Sequence, residues 1–266
     1  MDFGEILYET KDHVALITLN RPQARNALTM KTYGEVVAAL ERIEADPEIR
    51  AAVITGAGTG FCSGDDVKQV MLDPQEVERR RERAKAQVRA EPTPAAAALM
   101  SMSKPIIAAV NGPAVGWGMD LALMCDIRMA SPRAKFGEIF VLRGLIPDLG
   151  GIYWLPRIVG LSKAYELLFT GEVIDAEEAL KIGLVSRVVP PEALLDEALA
   201  LAQRIAANPP LAVRRIKEAV RRGLDYDLQA LGEYVTSSLG VLFATEDHKE
   251  GAMAFLEKRA PKFKGC

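Results

Sequence analysis

Residues 104–126 read KPIIAAVNGPAVGWGMDLALMCD, and this stretch decides the fold. Pro105 to Val110 is a short, wholly apolar run bounded by turn residues, as in a strand buried on both faces. Asn111-Gly112-Pro113 and Gly116-Trp117-Gly118 punctuate it, and a helix is expected to open near Gly116-Trp117. Upstream, VITGAGTGFCSGDDVKQVM (residues 53–71) has the same grammar, with a helix start expected near Asp65-Asp66. Strands alternating with helices define an α/β protein.

Amides at a helix start point outward and favour negative charge. Two such turns on neighbouring strands can aim two N–H groups at one oxygen, forming an oxyanion hole. Glycine lets a ligand approach the backbone there. By spacing alone, the two turns read equally as tight corners. GAGTG is a weak dinucleotide fingerprint, because its glycine spacing is wrong and no helix opens at once. Asp120 stands one helical turn after Trp117, among Met119, Leu121, Leu123 and Met124. Those neighbours imply burial, and a buried carboxyl titrates upward.

A second lone acid lies in GLIPDLGGIYWLP, residues 144–156, whose single ionisable residue is Asp148. It is either a turn or cap aspartate or an acid/base, its pKa raised by apolar neighbours such as Leu149, Ile146, Trp154 and Phe140.

The remainder sets the frame. GEILYET and HVALITLN alternate as half-buried strands, and Thr29–Ala45 carries Val36, Val37, Leu40 and Ile43 at helical spacing. Arg79, Arg80, Arg81 and Arg83 alternate with glutamates, which reads as a solvated helix face rather than a phosphate site. Asp175 with Glu178 reads as a capping box. From Pro191 the texture is helical, so residues 1–190 are expected as the core and 191–266 as a helical appendage, with the Asn208-Pro209-Pro210 break a further candidate for its start. The 266 residues are 49% hydrophobic with net charge −3, which suits one large folded unit and gives no pull toward nucleic acid or anionic membrane. No apolar run is long enough for a membrane span, and the N-terminus does not read as a signal peptide. Cys62, Cys125 and Cys266 are scattered thiols, suiting a reducing, cytoplasmic setting. With only His13 and His248, neither a histidine-rich metal site nor a Ser-His-Asp triad is expected.

Taken in register, LNRPQARNAL, FCSGDDVK, the 104–126 stretch, FGEIFVLRGLIPDLGG, ELLFTGEVIDAEEALKIGLVSRVV and AFLEKRAPKF resemble the crotonase superfamily, the enoyl-CoA hydratase/isomerase family. The resemblance implies a spiral of ββα turns with a C-terminal helical region that builds trimers, often paired into hexamers. It implies an acyl-CoA substrate, with CoA part of the substrate and no separate cofactor. It places the oxyanion amides on Asp65 and Trp117, flanked by Gly64 and Gly116; the family more often has glycine at 117, so the indole must shape the acyl pocket. CoA contacts are implied at Ala24, Arg25, Ser63, Gly64, Asp66, Lys68, Phe255 and Lys258. Of the two glutamates of family hydratases, the first corresponds to Asp120 and the second falls on Phe140, which cannot transfer a proton; Glu138 substitutes only if its segment is repositioned. Several family isomerases and a hydrolytic dehalogenase carry their carboxylate where Asp148 stands. The leading expectation is therefore a double-bond isomerase with Asp148 as base and Asp120 as second acid or orienting group. The alternatives are a hydratase using Asp120 and Asp148, a nucleophilic hydrolase using Asp148, and a non-catalytic acyl-CoA binder.

Overall fold

The computed structural model describes residues 3–85 and 92–266. Its centre is a six-stranded sheet formed by β1 (Ile6–Lys11), β2 (Val14–Leu19), β3 (Ala51–Gly56), β4 (Ile106–Val110), β6 (Ile127–Ala130) and β9 (Arg187–Val188), in that order. Only the β1–β2 hairpin is antiparallel; the other pairs are parallel. A smaller sheet joins β5 (Ala114–Val115), β7 (Lys135–Gly137) and β8 (Ile174–Asp175).

The alternation of strand side chains assigns the two faces. Ala52, Ile54, Ile106, Ala108 and Val110 enter the main core. Ala51, Val53, Ile107 and Ala109 enter a second cluster on the opposite face. Each fully buried Val or Ile contributes about 1.5–3 kcal/mol.

On the first face lie α1 (Met30–Ala45), α3 (Pro94–Ser101) and α4 (Trp117–Met124). In α1, Val36, Leu40 and Ile43 are buried as expected, with Ala39, while Val37 is partly buried. Its N-terminus carries a reciprocal capping box between Thr29 and Thr32. At α7 (Ala176–Lys181) only half of the expected box forms. The Asp175 side chain accepts from the Glu178 amide at 3.0 Å, while the Glu178 carboxylate pairs with Lys163 and Lys181. In α2 (Pro74–Lys85), Arg79 and Arg81 pair with Glu76 and Glu78, consistent with a solvated face; the side chains of Arg80 and Arg83 lie outside the described residues.

The short α5 (Leu155–Val159) and α6 (Leu161–Thr170) follow the Asp148 loop. Four helices end the chain: α8 (Leu194–Ala206), α9 (Pro210–Arg222), α10 (Leu228–Phe243) and α11 (Glu246–Glu257). The division expected at residue 190 precedes α8, yet α8 packs Ala198, Ala202 and Ala206 directly on the second sheet face. Alanine at every fourth position lets the helix approach the sheet closely. From Pro210 onward the helices add no residue to the apolar clusters on either sheet face. No described helix is long and apolar enough to cross a membrane.

Candidate active site

The two glycine turns come together. Cys62 pairs with Ala114 in a parallel bridge, and the Val115 amide donates to the Cys62 carbonyl at 3.0 Å. A Cβ on Gly64 would sit 2.8 Å from the Val115 carbonyl oxygen and 3.2 Å from the Trp117 amide, and Gly64 has φ +82°. Only glycine meets both demands. The Gly64-Asp65 backbone therefore abuts Gly116-Trp117. Trp117 opens α4, and Gly116 before it offers no side-chain cap. The first turn differs from expectation: its helical segment is a π-helical turn at Val67–Met71, capped by Asp66, which accepts from the Lys68 and Gln69 amides. Asp66 also pairs with Arg21 at 3.2 Å. The Asp65 carboxylate accepts the Tyr33 hydroxyl at 2.5 Å.

Ser63, Gly64, Asp65, Gly116, Trp117 and Phe140 line a cleft of about 40 Å³, with Ile139, Arg143, Val67 and Met71 completing it. Larger grooves lie between α1 and α3 (about 570 Å³) and beside α9 (about 640 Å³). Neither is lined by a glycine turn, so the two turns rather than size select the small cleft, and Asp120 and Asp148 lie outside its lining. Ser63 joins it to the Ala24-Arg25 turn, its amide donating to the Arg25 carbonyl at 3.1 Å. Lys68 is exposed nearby. Phe255 and Lys258 lie exposed at the end of α11, and neither lines the cleft.

The acids sit behind Trp117. Asp120 is completely buried in α4. One of its oxygens accepts from the Gly151 amide at 2.6 Å and the other from the Asp148 amide at 3.2 Å. Burial raises its pKa to about 7; those two amides oppose the rise, and the charges of Asp148 and Asp65 add to it. Glu138 is also completely buried, and neither of its oxygens has a hydrogen-bond partner among the described residues. Burial, then the charge of Asp120, pushes its pKa well above the usual carboxylate range. Glu138 faces inward while Phe140 lines the cleft, so the segment is not repositioned to present Glu138 there.

The expectation of a greasy wall around Asp148 is corrected. Ile146 is 79% exposed and points away. Asp148 is half-buried, and its carboxylate is held by donors: Thr93 Oγ1 at 2.9 Å and Trp117 Nε1 at 3.2 Å on one oxygen, the Leu149 amide at 2.8 Å on the other. Sequence reasoning missed Thr93 and Tyr33. The one signal for Thr93 was its place between Pro92 and Pro94, where a helix starts. No cluster of three or more His, Cys, Asp or Glu side chains among the described residues is arranged to hold a metal.

The fold is that of the crotonase superfamily. The model of the enoyl-CoA hydratase/isomerase family matches residues 9–266, and the chain belongs to that family. The (E)-benzylidenesuccinyl-CoA hydratase of Thauera aromatica is 43% identical, covering 98% of this chain and 99% of that protein. The crotonyl-CoA hydratase of Syntrophomonas wolfei is 40% identical, covering 99% of both. The crystal structure of an enoyl-CoA hydratase from Bacillus anthracis superposes with a TM-score of 0.90 at 34% identity, covering 99% of this chain and 100% of that one. The chain is an enzyme, which sets aside the silent-binder alternative.

Proposed function

We propose that this enzyme adds water across the α,β double bond of an enoyl-CoA. The amides of Asp65 and Trp117 hold the thioester oxygen as the enolate develops. Asp148 takes a proton from water as its oxygen bonds to the β carbon, and Asp120 gives its proton to the α carbon. Both acids then exchange with solvent to restore the starting state. One observation carries the reading: the backbone amide of Asp148 donates to the Asp120 carboxylate, and the Asp148 carboxylate accepts the Trp117 indole N–H, which brings both acids that water addition needs to the end of α4 that Trp117 opens. This reverses the order expected from sequence. Relatives named as hydratases at 38–43% identity weigh the same way. The aromatic lining by Trp117 and Phe140 supports a compact or aryl-bearing acyl group, in keeping with the Thauera relative's name.

The test is loss of the conjugated-enoyl absorbance with crotonyl-CoA and cinnamoyl-CoA. Asp148→Asn and Asp120→Asn should each slow hydration by about 10²-fold or more. Fast hydration undiminished in Asp148→Asn sinks the proposal. Phenylalanine at 140, where the resemblance puts a hydratase glutamate, favours a second reading. In it Asp148 alone shuttles a proton along a 3-enoyl-CoA, which an isomerisation assay in D₂O would show as label at the γ carbon.

A further inference from the structure

We propose that the Trp117 side chain is a positioning residue for Asp148, acting through its indole N–H. The inference rests on the reading of Asp148 as the base. Asp148 lies on a stretch, residues 145–148, without regular structure, so its own backbone does not fix its carboxylate. Trp117 stands on a helix buried along its whole length. Its ring is only 5% exposed and meets the Tyr33 ring edge-on, with centroids 4.8 Å apart at 86°. Tyr33 is pinned in turn by its hydroxyl bond to Asp65. An indole nitrogen can only donate, and once buried it needs an acceptor. Here the acceptor is Asp148 Oδ2 at 3.2 Å, the same oxygen that takes the Thr93 hydroxyl. Thr93 caps α3 by accepting from the Ala96 amide, so a second helix anchors the same oxygen. One residue thus serves both ends of the reaction: the Trp117 amide faces the Gly64 turn, and its side chain aims the acid.

The experiment pairs Trp117→Phe, which keeps a ring against Tyr33 and removes the donor, with benzothienylalanine installed at 117, which keeps the indole shape and removes only the N–H. Initial rates with crotonyl-CoA are measured in the wild-type and Asp148→Asn backgrounds. A lost hydrogen bond to a charged group predicts a fall in kcat of at least about tenfold, with KM nearly unchanged, in both 117 variants. In the Asp148→Asn background the same changes should alter the rate by less than about twofold, because there is no carboxylate left to aim. Wild-type kcat in the benzothienylalanine enzyme overturns the inference while the Asp148 reading stands. So does an undiminished effect of the 117 variants in the Asp148→Asn background, which places the indole's role elsewhere. Wild-type kcat in Asp148→Asn alone overturns the Asp148 reading, and this inference with it.

Discussion

The Asp148 amide donates to Oδ2 of Asp120, joining residues 28 apart in sequence. The bond fixes the loop acid's backbone to the helix acid's carboxylate, and the charge of Asp148 adds to the rise in the Asp120 pKa. Asp120 keeps its proton up to about pH 7 because burial outweighs the two amides that favour its charged form. If Asp120 is the proton donor, kcat/KM for hydration should fall as pH rises through about 7. The Asp120→Asn enzyme should be slow and should lack that limb. An activity that instead rises through neutral pH, and does so only when Asp120 is present, would make Asp120 the base and reverse the roles given to the two acids.

Glu138 bears on stability rather than on the cleft. Its folded pKa lies well above the ordinary 4.5, so the folded chain binds its proton more tightly than the unfolded chain does. That contribution is complete below the unfolded value and is lost as pH rises through the folded one. Glu138→Gln keeps the shape and stays neutral throughout. The variant should gain in Tm relative to wild type, and the gain should widen between about pH 5 and about pH 8. A constant difference across that range would mean that Glu138 does not titrate as its burial requires.

How much of this was legible in sequence follows from which forces are local. β3 and β4 were readable because strands covered on both faces must be apolar throughout, and α1 because its buried residues keep helical spacing. Asp120's burial was readable from its neighbours. The Trp117–Asp148 bond was not, since it spans 31 residues and depends on how a loop returns over α4. Ile146 misled for the same reason: an apolar residue beside an acid in sequence can turn to solvent in space. The place of α8 was hidden because alanines make close packing possible without giving a strong hydrophobic signal.

Asp126 ties α9 to the sheet. Its carboxylate accepts the Ile106 amide at 2.8 Å, Lys217 at 2.7 Å and Arg221 at 3.1 Å. Burial lowers the pKa of Lys217, so the ammonium relies on this partner. Asp126 is partly exposed while the Lys217 side chain is buried, so Asp126→Ala, which strips that ammonium of its partner, should cost about 1–3 kcal/mol in urea denaturation. Adding Lys217→Met should recover part of the loss. A single substitution costing under about 1 kcal/mol would show that water already screens the cluster.

The last three helices expose several large apolar side chains. Ile216 and Val220 on α9 are 62% and 64% exposed, Phe243 on α10 63%, and Phe255 and Leu256 on α11 83% and 73%. Ile216 and Val220 are four residues apart and share one helix face. Such a face is stable in water only when covered, and the crotonase resemblance implies copies of the same chain as the cover. Light scattering after size exclusion should give three or six times 28.9 kDa. Ile216→Glu with Val220→Glu should shift the mass down, because each new carboxylate would lose its water inside the interface. A wild-type mass of one chain at micromolar concentration would refute the assembly, and an unchanged mass in the double variant would move the interface off α9.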